Sequence, residues 1–186
     1  MHSQLEKDKD VLRLQFRRLA HTSKTIRESR TTQGWWIQMS QVGTCVEPSG
    51  GPTCEVTGRI DRGLVVFVGA AENDDRTDLD YLVNKVVNLR VFPDERGRMT
   101  KALAEAGGSL LVISQFTVFG DVRRGLRPSF DGAMEPVAAE AMYNEFVAAC
   151  RAAGAHVETG KFRADMRVFV ENDGPVTILL DSKRLF

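Results

Sequence analysis

Hydrophobic and polar positions along the chain follow two periods, and the two mark different elements. "GLVVFVGA" and "GGSLLVISQF" are continuous apolar runs bounded by glycines, the pattern of strands buried on both faces. "CEVTGRI" reads as a further strand, as do "MRVFV" and "VTILLD" near the C-terminus, and "WWIQMSQV" suggests the first strand. "ENDDRTDLDYLVNKVVNLRVF" places Leu79, Leu82, Val83 and Val86 at helical spacing behind an acidic first turn. "MEPVAAEAMYNEFVAACRAAG" predicts the clearest helix, with Pro136 in the first turn, Gly154 at the C-cap and Met142, Phe146 and Cys150 on the core face. "EPSGGPT" and "PDERGRMTKAL" are loops by composition. The expectation is an α+β domain over residues 35–186. It has a largely antiparallel curled sheet or β-barrel of about six or seven strands, with two main helices on one side and no regular βαβ units.

Residues 1–34 differ. Leu12, Phe16 and Leu19 recur at helical spacing, with Arg13, Arg17 and Arg18 around them, and "HTSKTIRESRTTQG" follows as a polar linker. This predicts a basic, poorly ordered N-terminal extension with one short helix; the competing reading is an arm that helps hold RNA. Charge divides the same way. Residues 1–34 carry eight Lys/Arg against four Asp/Glu, and the remainder seventeen against twenty-one. The domain has no global basic field, so any nucleic-acid contact must come from a local patch or from the arm. No run approaches the roughly 20 apolar residues of a membrane span. The charged N-terminus and three cysteines without C-x-x-C spacing predict a cytoplasmic protein with reduced thiols.

Candidate chemistry is narrowed first by what is missing. The three histidines are His2, His21 and His156, two of them in the extension, so the chain offers no Ser-His-Asp set and no metal cluster. There is also no Walker A loop or G-x-G-x-x-G. No cofactor and no metal are expected. "SQFT", Ser114 to Thr117, closes the "LLVI" strand. It reads either as a plain strand end or as a site held rigidly by the strand. Residues three apart on a regular strand face opposite sides, so Ser114 and Thr117 share a pocket only if the strand stops between them. In that case the freed N–H groups of Phe116 and Thr117 are candidates for an oxyanion hole. "GDVRRGLRPSF" carries Arg123, Arg124 and Arg127 on a Gly-flanked loop, either solvated or a phosphate-binding patch. Phe162 and Met166 in "TGKFRADMRV" read by default as core. "ENDGPVT" reads as a hairpin connection in which Gly174 and Pro175 stand where a strand should begin.

Together, "GRIDRGLVVFVGA", "DYLVNKVVNLRVF", "GGSLLVISQFTVFGDVRRGLRPSF", "ETGKFRADM" and "NDGPVTILLDS" resemble the D-aminoacyl-tRNA deacylase family, over a span from about Trp36 to Ser182. The resemblance implies a homodimer that hydrolyses the ester between a D-amino acid and tRNA. It implies that Gly174–Pro175 is a cis bond in a loop that enters the partner's active site and excludes L-side chains. It places Ser114, Gln115, Phe116 and Thr117 in the catalytic pocket and Phe162 and Met166 near the terminal adenosine. Mischarged glycyl-tRNA is a second candidate substrate, since glycine has no side chain to exclude. The alternative is an RNA-binding module of the same fold without activity. Met39 stands where the family has an arginine that braces the Gly-Pro loop, and Arg163 stands where "FGADM" has a glycine.

Overall fold

The structure is a computed structural model, and it describes residues 13–19, 42–46 and 55–184, Gly174 excepted. The elements run β1 (Arg13–Leu19), β2 (Val42–Val46), β3 (Glu55–Ile60), β4 (Gly63–Gly69), α1 (Arg76–Asn88), β5 (Phe92–Pro93), β6 (Met99–Lys101) and β7 (Ser109–Ser114). A 3-10 turn (Phe116–Phe119), α2 (Pro136–Ala152), β8 (Val157–Thr159), β9 (Met166–Phe169) and β10 (Asn172–Asp181) complete them.

Three layers result. The central five-stranded sheet has the order β10-β1-β4-β7-β8. Its two middle apolar strands alternate faces. Leu64, Val66, Val68, Leu110 and Val112 pack with Leu79, Leu82 and Val86 of α1 and with Tyr143, Phe146 and Cys150 of α2. Both helices therefore lie on one side, as expected. Val65, Leu111 and Ile113 point the other way and pack with Ile60 of β3 and with Met166 and Val168 of β9. Those two strands belong to a second, antiparallel sheet of order β3-β2-β9. A strand covered on both faces must be apolar at every position, which is why these runs show no period-2 alternation.

Three expectations are corrected. The central sheet is not closed and is only partly antiparallel: β1 pairs antiparallel with β10 and β4, whereas β4 and β7 are parallel, as are β7 and β8. A helix lies in each connection, α1 before β7 and α2 before β8, and a helical return carries the chain back to start the next strand in the same direction. Second, the expected helix at the N-terminus is absent. Residues 13–19 are a strand paired antiparallel to both β4 and β10. The stretch "VLRLQF" satisfies period 2 as well as helical spacing, and two flanking strands supply a ladder that an isolated helix lacks. Third, "MRVFV" and "VTILLD" do not form a hairpin. β9 pairs with β2 and β10 with β1, so residues 170–171 cross between sheets. The first strand expected at 35–42 lies outside the described residues except for Val42, and Met39 lies outside them as well.

Helix ends follow their sequence signals. Asp75 caps α1, accepting from Thr77 N at 2.7 Å, while Asp78 Oδ2 accepts from Asp75 N at 3.1 Å. Asp78 also receives Lys183 Nζ at 2.7 Å, which ties the chain after β10 to the start of α1. This hydrogen bond raises the Lys183 pKa. Its contribution to stability is therefore present below the ordinary lysine range and is lost as pH rises through the raised value. Glu135 accepts from Val137 N at 3.0 Å ahead of Pro136 in α2, and Gly154, at φ 89°, follows its C-cap.

Candidate active site

The parallel pair sets the position of the site. At the carboxyl ends of β4 and β7, where Val68 is in register with Ser114, the chain opens onto a cavity of about 670 Å³. A crevice beyond the carboxyl ends of parallel strands is where ligands bind in sheets covered by helices. α2 supplies one wall through Met142, Tyr143 and Phe146, and the 162–166 segment supplies another.

Ser114 is the last residue of β7. Gln115 N still donates to Val68 O at 2.8 Å, after which the 3-10 turn begins at Phe116. The strand stops between Ser114 and Thr117, and both line the cavity. That meets the condition read from their spacing. The first N–H groups of a 3-10 turn have no partner within it. Those of Phe116 and Thr117 are such groups, since the bonds recorded for the turn are Val118 N to Gln115 O and Gly120 N to Thr117 O. Gln115 Nε2 donates to Thr117 Oγ1 in a short hydrogen bond. No carboxylate or imidazole bonds to that hydroxyl among the described residues. Gly69 permits this close turn: a Cβ there would lie 2.8 Å from Gln115 O and 2.6 Å from Val118 Cγ2.

Phe162 and Met166 line the same cavity, so six of the sequence candidates converge. The turn Lys161–Ala164 carries Phe162 and is closed by Ala164 N donating to Lys161 O at 3.3 Å. It is fixed to the sheet by Gly160 N donating to Val112 O at 3.1 Å, and to Met166 by Lys161 N donating to its Sδ at 3.3 Å. The Phe162 ring lies 5.8 Å from that of Tyr143, whose hydroxyl donates to Val112 O at 2.9 Å. Burial pushes the Tyr143 pKa up to about 12, so the phenol stays a neutral donor. Phe116, 59 % exposed, meets Phe130 edge-on at 5.0 Å on the rim.

Sequence reasoning missed Gly69, Ala70, Phe130 and Tyr143. Tyr143 sits three residues before Phe146 in the apolar stripe, where a polar tip on a core face was the available signal. Gly69 and Ala70 follow from the carboxyl-end rule once β4 and β7 are seen to be parallel.

Among the described residues, Pro175 and the three loop arginines are not brought into the cavity lining. Opposite β1, Leu19 pairs with Asn172 but Arg17 with Thr177, a register shift of the kind a bulge makes, and Pro175 is exposed. Asn172 closes the bulge, its Oδ1 accepting from Val176 N at 3.1 Å. The placement of Gly174, and with it the expected cis bond to Pro175, lies outside the described residues. The arginines lie on the exposed loop 122–128, whose ends Asp121 and Ser129 bond reciprocally. Arg123 is tied to Asp121 at 2.7 Å, and this contact holds the Asp121 carboxyl at about 2, well below the usual range. The link is complete above the ordinary carboxylate range and is lost only as pH falls towards 2. Arg124 and Arg127 are exposed and form no ion pair among the described residues. Cys150 is a buried thiol whose pKa burial raises to about 12, so it is no nucleophile.

The family model described as D-Tyr-tRNA(Tyr) deacylase matches residues 38–181. A protein of Sorangium cellulosum named D-aminoacyl-tRNA deacylase is 65% identical over 146 residues, 78% of this chain and 95% of that one. A Shewanella amazonensis protein of the same name is 56% identical over 126 residues, 68% of this chain and 87% of that one. Among solved structures, the c-Myc DNA Unwinding Element Binding Protein superposes with a TM-score of 0.72 at 32% identity, covering 90% of this chain and 97% of its own. A probable eukaryotic D-amino acid tRNA deacylase superposes with a TM-score of 0.69 at 16% identity, over 92% and 99%, which speaks to the fold. The chain belongs to the D-Tyr-tRNA(Tyr) deacylase family.

Proposed function

We propose that residues 35–186, with β1 completing the central sheet, form a cytoplasmic deacylase domain that hydrolyses the ester joining a D-amino acid to the 3′ end of tRNA. The observation that carries this is the convergence of Ser114, Gln115, Phe116 and Thr117 with Phe162 and Met166 on one largely apolar cavity, in a chain of this family. Phe162 and Met166 hold the terminal adenosine. The carbonyl of the ester lies over the Phe116 and Thr117 N–H groups, which stabilise the oxyanion as water attacks. An aminoacyl ester is reactive and the neighbouring ribose hydroxyl assists, so positioning replaces a protein base. Arg124 and Arg127 meet RNA phosphates, with Arg123 bracing the loop through Asp121.

The protein acts as a homodimer in which the Gly174–Pro175 segment of one subunit reaches the other's cavity and crowds L-side chains. A filter made of backbone is indifferent to side-chain identity, which suits many D-amino acids. The test measures release of D-Tyr and L-Tyr from charged tRNA. Release of D-Tyr and sparing of L-Tyr is expected, and Pro175→Ala is expected to weaken this discrimination by about tenfold or more. Equal rates on both esters would defeat the filter, and unchanged discrimination in the variant would remove Pro175 from it. A faster rate on mischarged glycyl-tRNA than on D-Tyr-tRNA would make glycine the main substrate.

Thr117→Ala is expected to lose less than about tenfold in kcat, because the donors are backbone. A loss near 10⁴-fold, at the top of the range for a general acid or base, would give the side chain the role. The second reading is a nucleic-acid-binding module without turnover. The likeness to a protein named for binding a DNA unwinding element, together with the exposed Arg124 and Arg127, which form no ion pair among the described residues, favours it. It predicts salt-sensitive tRNA binding and no release of either amino acid.

A further inference from the structure

We infer that Arg163 is an anion-binding residue at the mouth of the cavity, positioned to take the phosphodiester next to the terminal nucleoside of the RNA. This rests on the deacylase reading for the identity of the ligand, and on the geometry of one turn for everything else. Arg163 has φ 58°, one of two non-glycine residues with positive φ among those described. It is the third residue of the Lys161–Ala164 turn, the place that glycine takes without penalty when φ is positive. An arginine there meets the clash of its Cβ with the backbone. Strain of this kind persists where the surroundings over-determine the conformation, and it gathers at sites that use it. Here the surroundings do so. Gly160 N is bonded to Val112 O, Lys161 N to Met166 Sδ, and the Phe162 ring rests against Tyr143.

The consequence is a fixed division of labour within the turn. Phe162 is half-buried and lines the cavity. Its neighbour Arg163 lines the same cavity but is exposed, so it stands at the mouth. Two other charged residues line that cavity, Glu135 and Asp165. Glu135 is occupied as the cap of α2, and neither carboxylate pairs with Arg163. Among the described residues the guanidinium makes no hydrogen bond and no ion pair, which leaves its donors free for an incoming anion. A nucleoside seated against Phe162 has its own phosphodiester one bond from the ribose. Of the two cations that flank Phe162, Lys161 and Arg163, it is Arg163 that lines the cavity, and a guanidinium fork suits two phosphate oxygens.

Three variants separate charge from backbone. Arg163→Gln removes the charge and keeps the positive φ, Arg163→Gly removes both, and Arg163→Lys keeps the charge. Both KM for D-Tyr-tRNA and Kd for an uncharged RNA stem with the same single-stranded 3′ end are measured across a salt series. Arg163→Gln is expected to raise KM and Kd by about threefold to tenfold, with kcat changed less than about twofold. The slope of log Kd against log salt should fall by about 0.7, the loss of one single-strand phosphate contact. Arg163→Gly should show the same losses with a melting temperature no lower than the starting protein's, and Arg163→Lys should keep the slope. An unchanged slope and Kd in Arg163→Gln would overturn the proposal, as would an effect confined to Arg163→Gly. Absence of turnover in the unmutated protein would defeat the deacylase reading instead, and the RNA-binding series would still decide the role of Arg163.

Discussion

Replacing Gly69 with alanine is expected to lower kcat/KM for D-Tyr-tRNA about 10²-fold, the size of loss that a misplacement of roughly 1 Å produces at a positioned site. Gly69 ends β4 directly beneath the turn that carries Gln115, Phe116 and Thr117. The added methyl would stand 2.6 Å from Val118 Cγ2, 2.8 Å from Gln115 O and 2.9 Å from Phe119 Cε2. One of the three is backbone, and the other two belong to side chains of the 3-10 turn, which is packed down through the buried Phe119. The turn must move, and the N–H groups of Phe116 and Thr117 move with it. Overpacking of this kind also costs about 1–3 kcal/mol of stability. For a chain of this size that is a fall of roughly 2–4 °C in Tm for each kcal/mol. Steady-state kinetics and a thermal melt on the same sample decide the matter. Activity within threefold of the unmutated protein would mean that the turn's position does not set the rate.

The largest loss of stability is expected from Phe146→Ala. Phe146 is 1 % exposed and is among the largest fully buried side chains. It joins α2 to the helix-facing side of β4 and β7 and to α1, in one continuous cluster. Truncation removes its transfer free energy and leaves a void that two helices and a sheet cannot collapse, about 3–5 kcal/mol together. Against a total of roughly 5–15 kcal/mol this is a large fraction. Urea unfolding at fixed protein concentration should show the midpoint falling sharply with the slope unchanged. A loss below about 1 kcal/mol would show that the interface between α2 and the sheet is not the centre of the core.

Much of the local structure is legible in the residues themselves. The uninterrupted apolar runs at 64–68 and 110–113 declare strands covered on both sides. The acidic run ahead of Leu79, and Pro136, declare where helices begin. The order of SQFT, the arginine loop and NDGPVT is specific enough to indicate the family on its own. Strand direction is different. Period-2 and apolar patterns report which faces are buried, and they are the same for a parallel and an antiparallel neighbour. The direction of β7 and β8 is a consequence of α1 and α2 packing back over the sheet. Residues 13–19 illustrate the same limit. Their sequence satisfies both periods, and the choice of strand depends on β4 and β10 being there to pair with them.

The sequence by itself therefore determined the buried faces, where the helices begin and the family. Those depend on side-chain chemistry and on neighbours a few positions away. Only the tertiary structure decided that β4 and β7 run together, so that their carboxyl ends open a cavity between Gly69, the 114–117 turn, α2 and the 162–166 segment. It also decided that the pairing of β10 with β1 shifts register after Asn172, whose side chain bonds Val176 N, and that Arg163 is held at positive φ beside Phe162. These features depend on contacts between segments distant in the chain, and no local pattern encodes the direction or the distance at which such segments meet.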